Sequence, residues 1–229
     1  MMKKIVLITA YFLLLTSVNA QSVDLLWQGS TYTSPFYKGR SLWSNQSNIT
    51  LVAIPQGLGS APSLNYKWTK NGTVLGNVSG VGRNTLTFSD SILSKPQTVK
   101  IEVISGAGNV LAQYSTVITP VPGNVYVYEN NPLLGFLFHR ETSGTYPLKE
   151  KEVTFTAFPF FFSVLNRTDP HLSYKWGSDT GGSEDASSVT YRTPEEGSGT
   201  SAISLNLSNT EKIMQSAKKN FLVQFGNDE

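Results

Sequence analysis

The chain has no cysteine, only two histidines and no apolar run beyond its first fifteen residues that could cross a bilayer. Each absence removes a class of function. Without cysteine there is no disulfide, no thiolate nucleophile and no sulfur ligand, so the fold must be held by apolar burial alone. With two histidines, a zinc site would need both His139 and His171 plus carboxylates. His139 lies in an alternating strand and His171 follows Asp169-Pro170 at a strand entrance, where both read as ordinary side chains. No nucleophile-elbow, zincin or phosphate-loop spacing occurs, so the chain is read as not an enzyme. The densest apolar stretch, AFPFFFSVL from Ala157 to Leu165, is nine residues with a proline inside. A membrane helix needs about 20.

What is present begins with an address. Lys3-Lys4, an apolar run from Ile5 to Leu15 and the small-residue end SVNA form a secretory signal over residues 1–20, with Ala20 the expected last residue removed. An uncleaved anchor is the alternative. The whole chain carries 18 Lys plus Arg against 16 Asp plus Glu, and loss of the two signal lysines leaves 16 of each sign. A neutral mature chain without a basic stripe excludes nucleic acid as a partner. The Met-Met-Lys-Lys start and the lack of cysteine fit a bacterial exported protein, extracellular or attached to the cell surface. Sequons at Asn45, Asn48, Asn71, Asn77, Asn166 and Asn206 fit equally a polar composition rich in turns.

The rest is written twice. LNYKWTKNG from Leu64 returns as LSYKWGSDTGG from Leu172, with Tyr-Lys-Trp offset by 108 residues. ITLVAIP from Ile49 returns as VTFTAFP from Val153, and Arg40 is answered by Arg140. Short β-branched runs separated by Gly, Pro, Asn and Ser predict an all-β fold of two tandem β-sandwich domains, 21–120 and 125–229, joined by a short Pro/Gly segment at 121–124. Strands are expected near 23–28, 38–43, 48–54, 64–70, 84–89, 98–104 and 109–118, then near 125–129, 134–140, 151–158, 171–177, 201–207 and 219–225. A short helix is expected within Asn209–Lys219. Because side chains alternate along a strand, Tyr66 with Trp68 and Tyr174 with Trp176 face the two cores, while Lys67 and Lys175 face water.

These phrases resemble the PKD and Ig-like superfamily of bacterial surface proteins. In the second copy YKW, then VTYRTPEEGSG, then AISLNLSN is similar to the PKD order of Tyr-x-Trp, a Tyr-x-x-Pro-x-x-Gly turn and an alternating strand, although GSDTGG stands where PKD domains carry FGDG. VDLLWQGSTYTSPFYKGR with ENNPLLGFLFHR is also similar to two-domain exported proteins of reduced-genome bacteria. The resemblance implies extracellular binding, spacing or adhesion to a protein or glycan partner.

Three features carry finer expectations. Asp179, Glu184 and Asp185 in the loop GSDTGGSED are the oxygen donors a calcium ion would use, and a solvated connection explains them as well; no other cofactor is implied. Phe158, Phe160, Phe161 and Phe162 put rings on both faces of one segment, covered either by the chain itself or by a partner. The last strand, with Phe221 and Phe225, reads as penultimate, and the edge beside it is filled by the first strand of the same domain, by the SVDLLWQ segment of a neighbouring subunit in a surface or pilus-like assembly, or is left guarded by Lys218, Lys219 and the acidic end. A carbohydrate-binding accessory module, the remaining reading, requires a coplanar row of exposed aromatics.

Overall fold

The computed structural model describes residues 21–90, 92, 94–179, 181 and 183–226. The expected signal segment at 1–20 lies outside them. The N-terminal strands are β1 (Ser22–Gly29), β2 (Asn48–Gln56), β3 (Asn65–Lys70), β4 (Thr73–Val74), β5 (Gly80–Val81), β6 (Thr85–Ser89), β7 (Gln97–Ile104) and β8 (Val110–Ile118). The C-terminal strands are β9 (Asn124–Asn131), β10 (Gly135–Glu141), β11 (Thr145–Pro147), β12 (Glu152–Phe160), β13 (Leu172–Ser178), β14 (Ser183–Glu184), β15 (Ser188–Arg192), β16 (Gly199–Asn209) and β17 (Ser216–Phe225). The protein is all-β.

The strands form four sheets, ordered β1-β2-β6, β4-β3-β7-β8, β10-β9-β12-β15 and β11-β17-β16-β13-β14. Thus β1, β2 and β6 stand as strands A, B and E of an Ig-type sandwich, and β3, β7 and β8 as C, F and G. The same assignment repeats with β9, β12 and β15 in one sheet and β13, β16 and β17 in the other. Two Ig-like strand sets therefore follow one another in the chain.

By compactness the chain divides into one unit of residues up to Leu26, Val52–Thr85 and Thr98–Thr116, and a second of Trp27–Leu51, Leu86–Gln97 and Val117 onward. In the first unit Trp68 and Tyr66 are fully buried, with Val99, Ile101 and Val103 of β7. The Trp68 indole donates to the Arg83 carbonyl at 2.8 Å and the Tyr66 hydroxyl to the Ala61 carbonyl at 3.1 Å. Asn71 and Gly72 both take positive φ, 50° and 80°, and close the β3–β4 hairpin as Asn-Gly pairs do. Glu102, buried on β7, receives Lys100 at 2.9 Å and Lys67 at 3.1 Å. The hydrogen bond from Lys100 is the main cause that holds its carboxyl below the usual range, with Lys67 adding to it against the cost of burial.

In the second unit one core joins two sheets: Val125, Val127, Phe155 and Val189 from one, and Trp176, Leu205 and Phe221 from the other. Its tryptophan repeats the first. Trp176 donates to the Ala186 carbonyl at 2.8 Å and Tyr174 to the Arg167 carbonyl at 2.6 Å, so each Tyr-Lys-Trp buries two large rings and returns both polar tips to backbone.

Three expectations are corrected. No strand is missing at the end of the second copy, because β15 completes the set and makes β17 its last strand; the edge of β17 is filled from within the same copy, by β11 in parallel in place of the copy's first strand. Asn209–Lys219 contains a hairpin turn in place of a helix: the Asn209 side chain accepts from the Glu211 and Lys212 amides at 2.9 and 3.0 Å, which turns the chain directly into β17. Residues 38–43 form no strand. They belong to a loop that folds on itself, with the Gly29 amide bonding to the Ser41 carbonyl at 2.8 Å and the Thr31 hydroxyl to the Leu42 carbonyl at 2.8 Å, so Arg40 has no strand equivalence with Arg140. The two strands that the repeat equates also differ in burial: β2 buries one face through Ile49, Leu51 and Ala53 and leaves Ile54 39% exposed, whereas β12 buries both faces from Phe155 to Phe160.

Candidate binding surface

The second face of β12 explains its aromatics. With Phe155 and Ala157 committed to the core, Phe158 and Phe160 stand on the opposite side, beside Tyr126 and Tyr128 of the paired strand β9. The loop carrying Phe36 and Tyr37 and the strand β10, with Phe136 and Phe138, close over them. Phe36 lies 4.3 Å from Phe138 and 5.4 Å from Tyr128 between ring centres, and Phe136 lies 5.2 Å from Phe158. Most pairs meet edge to face, with Phe136–Phe158 at 89° and Tyr37–Phe160 at 85°. This geometry suits rings packed on one another. It is not the coplanar exposed row that a sugar platform needs.

Phe158 and Phe160 are buried in this layer, and Phe162 and Phe221 in the core, so none of these four rings forms an exposed interface. Phe161 and Phe225 are half-buried, Phe161 meeting Tyr37 at 5.8 Å. The expectation of a docking patch made of these rings is therefore corrected. They cover one another because the loop before β2 contributes two more aromatics to the same sheet face.

What the layer supports is more exposed. The turn between β9 and β10 is fixed by the Asn131 side-chain oxygen, which accepts from the Leu133 and Leu134 amides at 3.0 and 3.1 Å, and by Gly135 at φ 72°. On this turn Leu133 is 94% exposed and Leu134 75%. β10 then bulges: Phe136 opposes Asn130 and Glu141 opposes Tyr128, so residues 137–140 face Glu129 alone, and Phe138 lies at the rim of the layer, packed on Phe36 and Phe158 yet 39% exposed. Glu129 accepts from the Tyr146 hydroxyl and, at 3.0 Å, from Asn131. Burial first, then this contact, pushes the Tyr146 phenol up, while Arg140 stacks 5.2 Å above its ring.

The loop after β12 borders the same layer. Phe161, at φ 62°, and Phe162 are held by reciprocal backbone bonds with Tyr32 at 2.8 and 2.7 Å. The Asp169 carboxylate accepts from the Leu165 and His171 amides, each at 3.0 Å, and from the His171 ring at 2.8 Å; the two amides are the main reason its pKa lies below the usual range. So tied, the loop sets Arg167 over Phe136 and Phe158 at 5.5 and 5.3 Å and leaves Leu165 88% exposed.

The acidic loop offers no comparable assembly. Asp179 accepts from the Ser201 hydroxyl at 2.6 Å, Glu184 and Asp185 are exposed, and no group of three acidic or histidine side chains suited to a metal occurs among the described residues. No helix of the described residues is long and apolar enough to cross a membrane.

Gln215 was not legible in the sequence. Fully buried, it donates to the Asn45 carbonyl at 2.7 Å and to the Ser163 and Ser44 hydroxyls at 2.8 and 3.2 Å, and accepts from the Ser163 amide at 2.8 Å and the Asn209 side chain at 3.2 Å. One amide thus fastens the 44–47 loop, the loop after β12 and the β16–β17 turn. Its only signal was a glutamine in a polar stretch.

No family model and no curated protein matches this sequence. Among solved structures, the fibronectin(III)-like modules of Clostridium thermocellum CbhA are 12% identical, with 87% of this chain and 93% of theirs covered at a TM-score of 0.27. The ectodomain of mouse nectin-like molecule 4 is 10% identical, with 90% of this chain and 63% of that one covered at 0.28. A point mutant of the CFA/I adhesin CfaE of enterotoxigenic E. coli is 9% identical, with 93% and 88% covered at 0.27. Scores of this size define no common superposition, so the architecture rests on the strand pairing described above.

Proposed function

We propose that this chain is an exported, non-enzymatic binding protein of the cell surface that grips a protein or glycan partner with the β9–β10 hairpin tip. The observation that carries the reading is the pair Leu133 and Leu134, 94% and 75% exposed on a turn that a side chain and a positive-φ glycine hold in one conformation. A preformed apolar prong loses little conformational entropy on docking. The aromatic layer behind it keeps the hairpin from yielding. Burying both leucines in a partner is worth about 3–6 kcal/mol, from about 1.5–3 kcal/mol for each.

The test is binding of the purified mature chain to immobilised envelope from the producing cell. Leu133→Ser with Leu134→Ser is expected to weaken binding at least about a hundredfold, since each 1.4 kcal/mol is a factor of ten. The double variant removes no buried contact, so its melting curve stays in place. Undiminished binding by a folded double variant would refute the proposal. Recovery of the native chain from the culture medium or cell surface, starting at Gln21, tests the export half separately.

A further inference from the structure

Sheet edges are where β-proteins guard against other chains, and among the described residues most edges carry a recognisable guard. β4, β11 and β14 are only two or three residues long. β6 and β15 have five, and β15 ends in Arg192, paired with Glu152 at 2.7 Å. β10 is bulged, and β1 carries Asp24 near its middle. β8 differs. It closes the sheet β4-β3-β7-β8 with nine residues, VLAQYSTVI, that include no charge, proline or glycine. Its counterpart β17 has β11 laid along it, Thr145 to Leu222 and Pro147 to Gln224. Among the described residues β8 has no such cover, and the parallel bridge of Ser44 to Val121 falls beyond its end.

The sequence of this edge also says what fits it. Turned end for end about Tyr114, the strand sets Val110 against Ile118, Leu111 against Val117, Ala112 against Thr116, Gln113 against Ser115 and Tyr114 against itself. Apolar residues meet apolar residues near the ends, polar meets polar next to the centre, and no like charges oppose. A two-fold interface demands this self-complementarity, and cross-strand pairs of these kinds each stabilise. Val110, Leu111, Tyr114 and Val117 are 36–62% exposed on the single chain. We propose that β8 is a self-association edge: β8 of a second copy adds to it antiparallel, with the two-fold axis at Tyr114, continuing one sheet across two chains. This stands independently of the hairpin-tip reading, because the two rest on different residues and have different readouts.

Light scattering coupled to size exclusion tests it on the mature chain. The native protein is expected to weigh two chains when concentrated and one when diluted. Gln113→Lys with Ser115→Lys sets the introduced lysines against each other across the axis, and this variant is expected to stay at one chain. Leu222→Lys, on the already covered strand, is expected to leave the dimer intact. Because the chain has no cysteine, Tyr114→Cys provides a second readout. Directly opposed residues of antiparallel strands lie about 4.5–5.5 Å apart between Cα atoms, inside the disulfide range. This variant is expected to cross-link under mild oxidation, while Val110→Cys, which faces position 118, is not. A native chain that keeps one-chain mass at the highest concentration reached, or a lysine variant that pairs as the native does, overturns the proposal.

Discussion

Replacing Gln215 by leucine keeps the side chain's size and removes all its hydrogen bonding. The loss can be worked from the contacts. Two of the stranded partners are backbone groups, the Ser163 amide bonded at 2.8 Å and the Asn45 carbonyl at 2.7 Å. The native glutamine is fully buried and Asn45 and Ser163 are half-buried, so water replaces its bonds only in part. A buried backbone group left without a partner costs about 1–3 kcal/mol, and two cost about 2–6 kcal/mol. The Ser44, Ser163 and Asn209 side chains can reorient, so no further charge is made for them. At a urea m-value of about 2 kcal/mol/M, the unfolding midpoint should fall by about 1–3 M. Gln215→Glu should do no better, because it keeps the acceptor while placing a carboxylate oxygen against the Asn45 carbonyl. The measurement is equilibrium urea unfolding followed by tryptophan fluorescence, with the exposed Lys149→Ala as a control expected within about 0.5 kcal/mol of the native chain. If Gln215→Leu matched that control, the claim that this amide fastens three loops would be wrong.

Other consequences follow from the same packing. Trp68→Phe and Trp176→Phe each shrink a buried ring and remove its indole bond to the Arg83 or Ala186 carbonyl, and should each cost about 1–3 kcal/mol in thermal or urea unfolding; equal tolerance by both would remove the tryptophans from the centre of the core. Phe36→Ala takes away a half-buried ring that touches Tyr128, Phe138, Phe158 and Phe160 and should cost about 1–3 kcal/mol, less than a fully buried ring, with stronger binding of a hydrophobic dye as the uncovered layer opens. Glu102 has a folded pKa below its unfolded value of about 4.3. Its stabilising contribution is therefore present above pH 4.3 and lost as acid takes the pH down through the folded pKa. Glu102→Gln should flatten the stability profile below about pH 4.3, and an unaltered profile would assign the acid sensitivity elsewhere.

The repeated Tyr-Lys-Trp was legible because it combines two signals: alternation puts Tyr and Trp on one face of a strand, and rings of that size are rarely left in water. β2, β3, β7, β8, β12 and β13 were readable for the same reason. β15 was not, since SVTYR is short and followed by charged loop residues, and missing it made β17 look penultimate. Asn209–Lys219 has the composition of a capped helix. The turn formed because the Asn209 oxygen captured two nearby amides, a competition that local composition does not resolve.

The sequence by itself determined the β class, the twofold repeat and the burial of Trp68 and Trp176, because these depend on periodicity and side-chain size, which are local properties of the chain. The cover of the Phe158 and Phe160 rings was decided only in three dimensions, by Phe36 and Tyr37 arriving from more than a hundred residues away. So were the anchoring by Gln215 and the contrast between covered β17 and open β8. Each depends on which distant segments meet. A polar side chain or a strand edge acquires its energetic meaning only from the groups that take the place of water around it.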